Sequence, residues 1–440
     1  MPDFIRSLPL TGTTVVTVLA AVGVGCLLVL VAAQRPRRDR RTVGRLLWTA
    51  LVAVAVPAAV TAVAVAALDL TLFEIPVTAV VAGVLLTAAL ILTGTAVVTR
   101  RSRAWWTVFP SVGAVLTTVL LVNAGYGMFP DIGSLHPEPS YRPVAADELP
   151  PAVPDAVPVD HWHAPTTLPE YGTLTTLPVP APSSGFHARD AHVYLPPAWS
   201  ASPRPQLPVL VLMGGIPGSP EQWISRGHAT ELAHDYQREH GGLSPIIAVV
   251  DATGSTWGDP VCTDSPTAKV RTFLSRDVPD WLLSRFNADP DQSRWTIGGY
   301  SYGGLCALQV VANAPDTYGG FLDFSGDRRP TDEHRKHDST VRDFFDGSEQ
   351  AYRDANPEHL LHTRSADGRY SRLHGWFIAG HRDRPAVDAL HALSSAAERA
   401  GVDVSTATPR GGHDFGLWRD ALRTTFPDVV RWGGLPQSGQ

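Results

Sequence analysis

The first 125 residues contain four apolar runs, Thr13–Ala33, Leu46–Leu68, Pro76–Val98 and Ala104–Ala124, and none of them carries a charged side chain. Each is about 20 residues or longer, enough for a helix rising ~1.5 Å per residue to cross a hydrocarbon layer of about 30 Å. Core helices of water-soluble proteins rarely run so far without a polar face, so the pattern predicts four membrane spans. The 44% hydrophobic share of the whole chain hides this concentration. A signal peptide carries its positive charge before the apolar stretch. Here Met1–Leu10 has only Arg6, balanced by Asp3, and Arg35-Pro-Arg-Arg38 follows the run, so the first segment reads as a retained helix. Leu8–Gly12 has the look of a sortase signal, but such signals act near a C-terminus, and it is read as coincidence.

Charge then orients the spans. Gln34–Arg45 holds six arginines and one acid, Thr99–Arg103 holds three arginines, and Asp69–Ile75 holds two acids and no base. The positive-inside rule puts both arginine loops in the cytoplasm, with the N-terminus and everything after the fourth span outside. The expectation is a multi-pass protein of the cell membrane with an extracytoplasmic C-terminal domain. Residues 1–125 carry a net +6 and residues 126–440 a net −12. An exterior domain so acidic argues against nucleic acid as a partner. The spans contain no Asp, Glu, Lys, Arg or His, which argues against a proton or ion path. Cys262 and Cys306 lie outside, where a disulfide could persist, but spacing does not separate a bond from two buried thiols.

Ten prolines between Gly127 and Pro169 oppose helix and ladder formation, so residues 126–170 read as an extended, stiff linker between the four-helix domain (1–125) and a second domain (171–440). From about Tyr171 short apolar runs alternate with helix-like stretches. Strands are expected at Ala191–Leu195, Pro208–Met213, Pro245–Val250, Trp295–Gly298, Gly320–Phe324, Gly375–Ala379 and Val404–Ala407. Helices are expected at Pro220–Glu239, Val270–Phe286, Tyr302–Ala314, Val341–Ala355, Pro385–Ala400 and Leu417–Trp432. That alternation predicts an α/β fold, a mainly parallel sheet covered by helices on both faces.

Gly299-Tyr-Ser-Tyr-Gly303 fits G-x-S-x-G, and its setting gives the match weight. Arg294-Trp-Thr-Ile-Gly-Gly reads as a buried strand and Leu305-Cys-Ala-Leu-Gln-Val-Val as a helix, the strand–turn–helix that a nucleophile elbow requires. A serine hydroxyl needs a base, and the base needs an acid to orient it. His413, in Gly411-Gly-His-Asp-Phe415 after the last expected strand, is the candidate base. Asp383, ending Gly375-Trp-Phe-Ile-Ala-Gly-His-Arg-Asp383, is the candidate acid. Its alternative role is to complement the helix opened by Pro385, and Asp388 is the reserve acid. The candidate oxyanion donors are the amides of Tyr302 and of Ile216 in Met213-Gly-Gly-Ile-Pro-Gly218, with Gly215 as the alternative to Ile216. The other histidines show no metal-ligand spacing, and neither a metal nor an organic cofactor is implied.

Residues 171–435 resemble the esterase D-type branch of the α/β-hydrolases, which also holds the mycolyltransferases. The resemblance is carried by Leu212-Met-Gly-Gly-Ile-Pro-Gly218, Thr272-Phe-Leu-Ser-Arg-Asp-Val-Pro-Asp-Trp-Leu282, the elbow, Phe324-Ser-Gly326, Ala355-Asn-Pro357 and Gly412-His-Asp-Phe415. It implies an α/β-hydrolase fold and a triad of Ser301, Asp383 and His413. Mycolyltransferases carry Asp at the position of Gly214, Glu as the triad acid, and Trp where Phe415 stands. Those departures point to ester hydrolysis rather than transfer to trehalose. The expected activity is that of a membrane-anchored serine esterase on envelope lipids or lipid-linked esters. Acyl transfer to a sugar or lipid hydroxyl is the alternative, and a non-enzymatic docking module a second. A docking module would have no use for the complete Ser, Asp, His order.

Overall fold

The structure, a computed structural model, describes residues 2–33, 40–67, 75–98, 104–136, 140–331 and 337–437. The chain forms two units, residues 1–138 with 414–416, and residues 139–413 with 417–440.

In the first unit the four apolar runs are helices α1 (Thr13–Ala33), α2 (Arg40–Ala67), α3 (Val77–Val98) and α4 (Val108–Tyr126). All four are long and apolar enough to cross a membrane. The side chains buried between them are mostly small. Ala89, Leu92 and Ala114 cluster with Leu30, and Ala82 and Leu85 with Leu121. Small residues let helix backbones approach where no water drives them together, and hydroxyl pairs add cohesion. Thr93 and Ser111 make such a pair, 2.7 Å apart between α3 and α4. The large side chains, among them Leu28, Leu47, Trp48, Val60, Leu90 and Phe109, point outward. The Leu10 amide donates to Pro130 O at 2.7 Å and the Ile132 amide to Leu8 O at 3.1 Å, so the chain leaves the bundle at the end where it entered. The arginine-rich stretches 34–39 and 99–103 and the acidic stretch 69–74 lie outside the described residues.

The described residues of the second unit form a nine-stranded sheet. Its strands are β1 (Tyr141–Pro143), β2 (Gly172–Leu177), β3 (Ala191–Leu195), β4 (Val209–Met213), β5 (Ile246–Val250), β6 (Thr296–Tyr300), β7 (Gly320–Phe324), β8 (His374–Ile378) and β9 (Asp403–Ala407). Their order is β1-β2-β3-β5-β4-β6-β7-β8-β9, with only β3 antiparallel to its neighbours. Every residue of β4, β5, β6 and β7 is buried, which is why those strands read as continuous rather than alternating apolar runs. The chain runs from β4 to β5 on one side, then crosses back to β6 on the other. A sheet opens a crevice at its carboxyl edge at such a switch point, here between β4 and β6.

Several sequence expectations change. The proline-rich stretch is a free linker only in part. β1 pairs in register with β2, Leu149, Val159 and Trp162 are buried, and Asn287 Nδ2 donates to Val153 O at 2.9 Å. Proline forbids regular ladders but not an extended strap packed on a surface, so from Ser140 onward these residues belong to the second unit. The helix expected at Pro220–Glu239 is broken at Gly227-His228, where His228 takes a positive φ of 57°, leaving Gln222–Ser225 and Ala229–Glu239. The one expected at Val341–Ala355 is broken at Asp346-Gly347 into His337–Phe344 and Glu349–Ala355. Val270–Phe286 is helical throughout, with a π turn at Phe273–Asp277.

Candidate active site

Strand β6 ends at Tyr300, and helix α5 (Tyr302–Asn313) starts two residues later, so the whole reversal falls on Ser301. Its backbone sits at φ 55°, ψ −123°, a region disfavoured for any residue with a Cβ, at a cost of about 1–3 kcal/mol. The turn is held by the Ser301 amide donating to Phe324 O at 2.8 Å, and by the amides of Gly304 and Leu305 closing onto Ser301 O at 3.0 and 3.2 Å. Glycine is required on either side. A Cβ at Gly299 would lie 2.6 Å from Met213 O, and one at Gly303 would lie 2.6 Å from the same oxygen.

His413 Nε2 lies 3.0 Å from Ser301 Oγ, and His413 Nδ1 lies 2.6 Å from Asp383 Oδ2. The two partners are brought in by a backbone ladder that continues past the sheet. The Ala379 amide donates to Ala407 O, His381 to Pro409 O and Arg382 to Gly411 O, at 3.2, 3.0 and 3.1 Å. A Cβ at Gly380 would stand 2.6 Å from the Gly411 carbonyl carbon, so glycine is what lets the two loops run this close. Asp383 is 3% exposed and occupies the N-cap position of the helix that follows it (Arg384–Arg399), where its charge faces the helix N-terminus but its side chain makes no cap hydrogen bond. Asp388, the reserve acid, is exposed on that helix. The structure thus brings Ser301, His413 and Asp383 together and leaves Asp388 outside.

The loop after β4 passes directly over the elbow, where a Cβ at Gly215 would lie 3.0 Å from Ser301 Cβ. Ile216 is half-buried in that loop. The Tyr302 amide is the first of α5, and the opening amides of a helix have no intrahelical acceptor. The Gly215 backbone hydrogen-bonds the Tyr300 hydroxyl, which itself donates to Gln222 Oε1 at 2.6 Å. Burial still drives the Tyr300 phenol well above its ordinary pKa.

Sequence reasoning missed several neighbours because they come from distant positions. Tyr300 stacks on Trp418, with centroids 4.1 Å apart, and Trp418 stands edge-on to His413 at 5.0 Å. The aromatic partner of the histidine is therefore supplied one helical turn beyond Phe415. The pair left open by the sequence, Cys262 and Cys306, is joined by a disulfide, with Cα atoms 5.4 Å apart. Asp323, on β7 and paired in register with Gly299, is fully enclosed; burial pushes its carboxyl up to about 7 while the Gly326 amide, donating at 2.9 Å, pulls it back down. No spacing rule marks these residues. Only the apolar context of Asp323, inside Gly-Phe-Leu-Asp-Phe, hinted at a buried acid.

The Esterase family (Putative esterase) matches residues 187–429, more than half of the chain. The chain belongs to this family. This esterase-family protein is a serine ester hydrolase or acyltransferase, and Ser301, Asp383 and His413 all lie inside the matched span. An uncharacterized protein of Corynebacterium glutamicum is 42% identical over 336 residues, 74% of this chain and 75% of that protein. That span is longer than the second unit, so the likeness extends into the helical one. Iron(III) salmochelin esterase of Escherichia coli is 28% identical over 158 residues, 34% of this chain and 36% of that enzyme. A ferulic acid esterase of known structure is similar at a TM-score of 0.48 and 21% identity, over 56% of this chain and 92% of that one.

Proposed function

We propose that this protein is a membrane-anchored serine esterase of the cell envelope, cleaving esters of lipids or lipid-linked substrates through an acyl-enzyme on Ser301. The observation that carries the reading is the unbroken chain from Ser301 Oγ through His413 to Asp383, at 3.0 and 2.6 Å. His413 Nε2 takes the hydroxyl proton as Oγ attacks the ester carbonyl. The Asp383 carboxylate accepts from Nδ1–H, which fixes the tautomer and stabilises the imidazolium. The amides of Tyr302 and Ile216 receive the negative charge that forms on the carbonyl oxygen. His413 then returns its proton to the leaving alcohol, and a water, deprotonated by the same nitrogen, releases the acid. Gly214 supplies no carboxylate to hold a sugar acceptor, which favours water over transfer. The four apolar helices support anchoring, and the arginine loops support a cytoplasmic face opposite the esterase. Tethering confines the site to a thin layer above the bilayer, which favours esters that are themselves membrane-bound.

The test uses the full chain in detergent with a short-chain activated ester. Wild type should release free acid, Ser301→Ala should not, and a fluorophosphonate should label wild type at Ser301 alone. Added trehalose or glycerol should leave most acyl flux on water. Free acid formed only when an alcohol is supplied, with the acyl group recovered on that alcohol, would replace hydrolysis with transfer. For orientation, a reporter active only outside the cytoplasm should be active after Pro130 and silent at Arg40. The opposite pattern would reverse the assigned location.

A further inference from the structure

The segment after β5 is bonded to both sides of the Ser301 elbow. Asp251, its first residue, is 2% exposed. It accepts the Arg189 Nε–H at 3.0 Å, an Nη2–H at 2.8 Å and the Arg189 amide at 2.8 Å. Thr253 adds its hydroxyl at 2.8 Å and its amide at 3.1 Å. Burial pushes the Asp251 carboxyl up, and the bonds from Arg189 and Thr253 together outweigh it and hold the group below its ordinary value. With two donors in parallel on this carboxylate, the planar guanidinium has one orientation, and its third arm reaches the Gly218 carbonyl at 2.8 Å. The Gly218 amide in turn donates to Thr256 O at 3.1 Å. Both backbone polar groups of the residue that closes the loop over Ser301 are thus held from the 251–256 side.

The other side of the elbow is tied to the same segment. The Tyr302 hydroxyl donates to Ala252 O and accepts from the Cys262 amide, both at 3.0 Å. Cys262 is then linked covalently to Cys306, one turn along α5. One segment, residues 251–262, therefore spans from the chain that carries the Ile216 amide to the residue that carries the other candidate donor.

We propose that Arg189 is a positioning residue of the esterase: by bridging the Asp251 carboxylate and the Gly218 carbonyl it sets the separation of the two oxyanion donors. This rests on the oxyanion assignment above. The guanidinium neutralises Asp251 and has no bond to His413 or Asp383 among the described residues, so it acts through geometry. The donors matter most when the carbonyl oxygen carries charge, so a loosened loop lowers kcat and spares KM.

Arg189→Lys and Arg189→Gln would be assayed as full chain in detergent on a short-chain activated ester, with rates expressed per site titrated by fluorophosphonate. Because only titrated sites are counted, a lower yield of folded protein leaves the comparison intact. Lys keeps the charge beside Asp251 but cannot also reach Gly218. Both variants should lose about 10–100-fold in kcat, the scale of an ångström-sized misplacement, with KM within about threefold. The pH profile of kcat/KM should not move, because the His413–Asp383 pair is untouched. Tyr302→Phe should lower kcat as well, and its loss should shrink in the Arg189→Lys background, since both act on one assembly. A kcat within about twofold of wild type for both variants overturns the proposal. So does a KM rise of about tenfold with kcat unchanged, which would make Arg189 a direct substrate contact. Failure of the esterase reading is separate: it shows in wild type and Ser301→Ala, run in parallel, as turnover that survives loss of the serine.

Discussion

The two units of this chain solve the same problem with opposite surfaces. In the second, large apolar side chains such as Trp223, Trp295, Phe321 and Phe324 are fully buried, and among its described residues Trp257 is the one large apolar side chain exposed. In the first, alanines and a few leucines fill the interior while valines, leucines, Trp48 and Phe109 face outward. Water expels apolar area, so the esterase gains its cohesion from burying bulk. Lipid does not expel it, so in the membrane setting proposed above a bundle of this kind would gain cohesion from close contact and hydroxyl pairs. Exposed apolar surface therefore has no fixed meaning; what it signifies depends on the solvent around it.

The strongest break between the units is chemical. Asp383→Asn should cut kcat by about 10³–10⁴-fold, the loss expected when a triad acid no longer fixes its histidine. Membrane retention of this variant should be unchanged. Asp388→Asn should change kcat less than about tenfold. A larger loss at Asp388 in folded protein would reassign the acid.

The solvent argument is sharpened by placing the same charge on an exposed apolar residue of each unit. Leu90→Arg should oppose insertion of its helix by about 2.5–3.5 kcal/mol, read as lost membrane-integrated protein. Trp257→Arg should move the unfolding midpoint of the esterase unit by no more than about 0.5 kcal/mol. If both were equally harmless, the outward face of the bundle would not be meeting lipid.

The smallest expected effect concerns Asp323. Its folded carboxyl titrates near 7, above the ordinary 3.8, so the folded state binds its proton more tightly than the unfolded chain does. Its cost to stability is therefore absent below about pH 4, grows as pH rises toward 7, and is constant above that. Asp323→Asn should raise Tm at pH 8 by a few degrees and leave it nearly unchanged at pH 4, as followed by circular dichroism. A larger gain at pH 4 than at pH 8 would contradict the burial of an ionised group there.

How much of this was legible in the sequence follows from the range of the forces involved. The four long apolar helices are local: about 20 apolar residues in a row favour a helix long enough to cross a membrane, whatever lies elsewhere in the chain. The elbow is local too, because the tight turn at Ser301 leaves no room for a Cβ at Gly299 or Gly303, and the order of Ser301, Asp383 and His413 follows from strand order. The helix breaks at Gly227-His228 and Asp346-Gly347 fall at glycines beside positive-φ residues, a local breaker signal that the apolar periodicity of the flanking stretches masked. Residues 140–170 looked like a spacer because proline density describes what a segment cannot form by itself. Their pairing with β2 and packing against Asn287 depend on a surface made by residues far along the chain. The same holds for the site's support. Arg189 meets Asp251 and Gly218, Trp418 meets Tyr300 and His413, and Cys262 meets Cys306 across 44 residues. The long apolar helices, the parallel α/β class and the strand–turn–helix around Ser301 were readable from the sequence alone, because each is written in neighbouring residues. Which carboxylate stands beside His413, what holds the loop over Ser301 and which cysteines pair came only from the folded chain, because those are contacts between segments whose spacing carries no record of the distance between them.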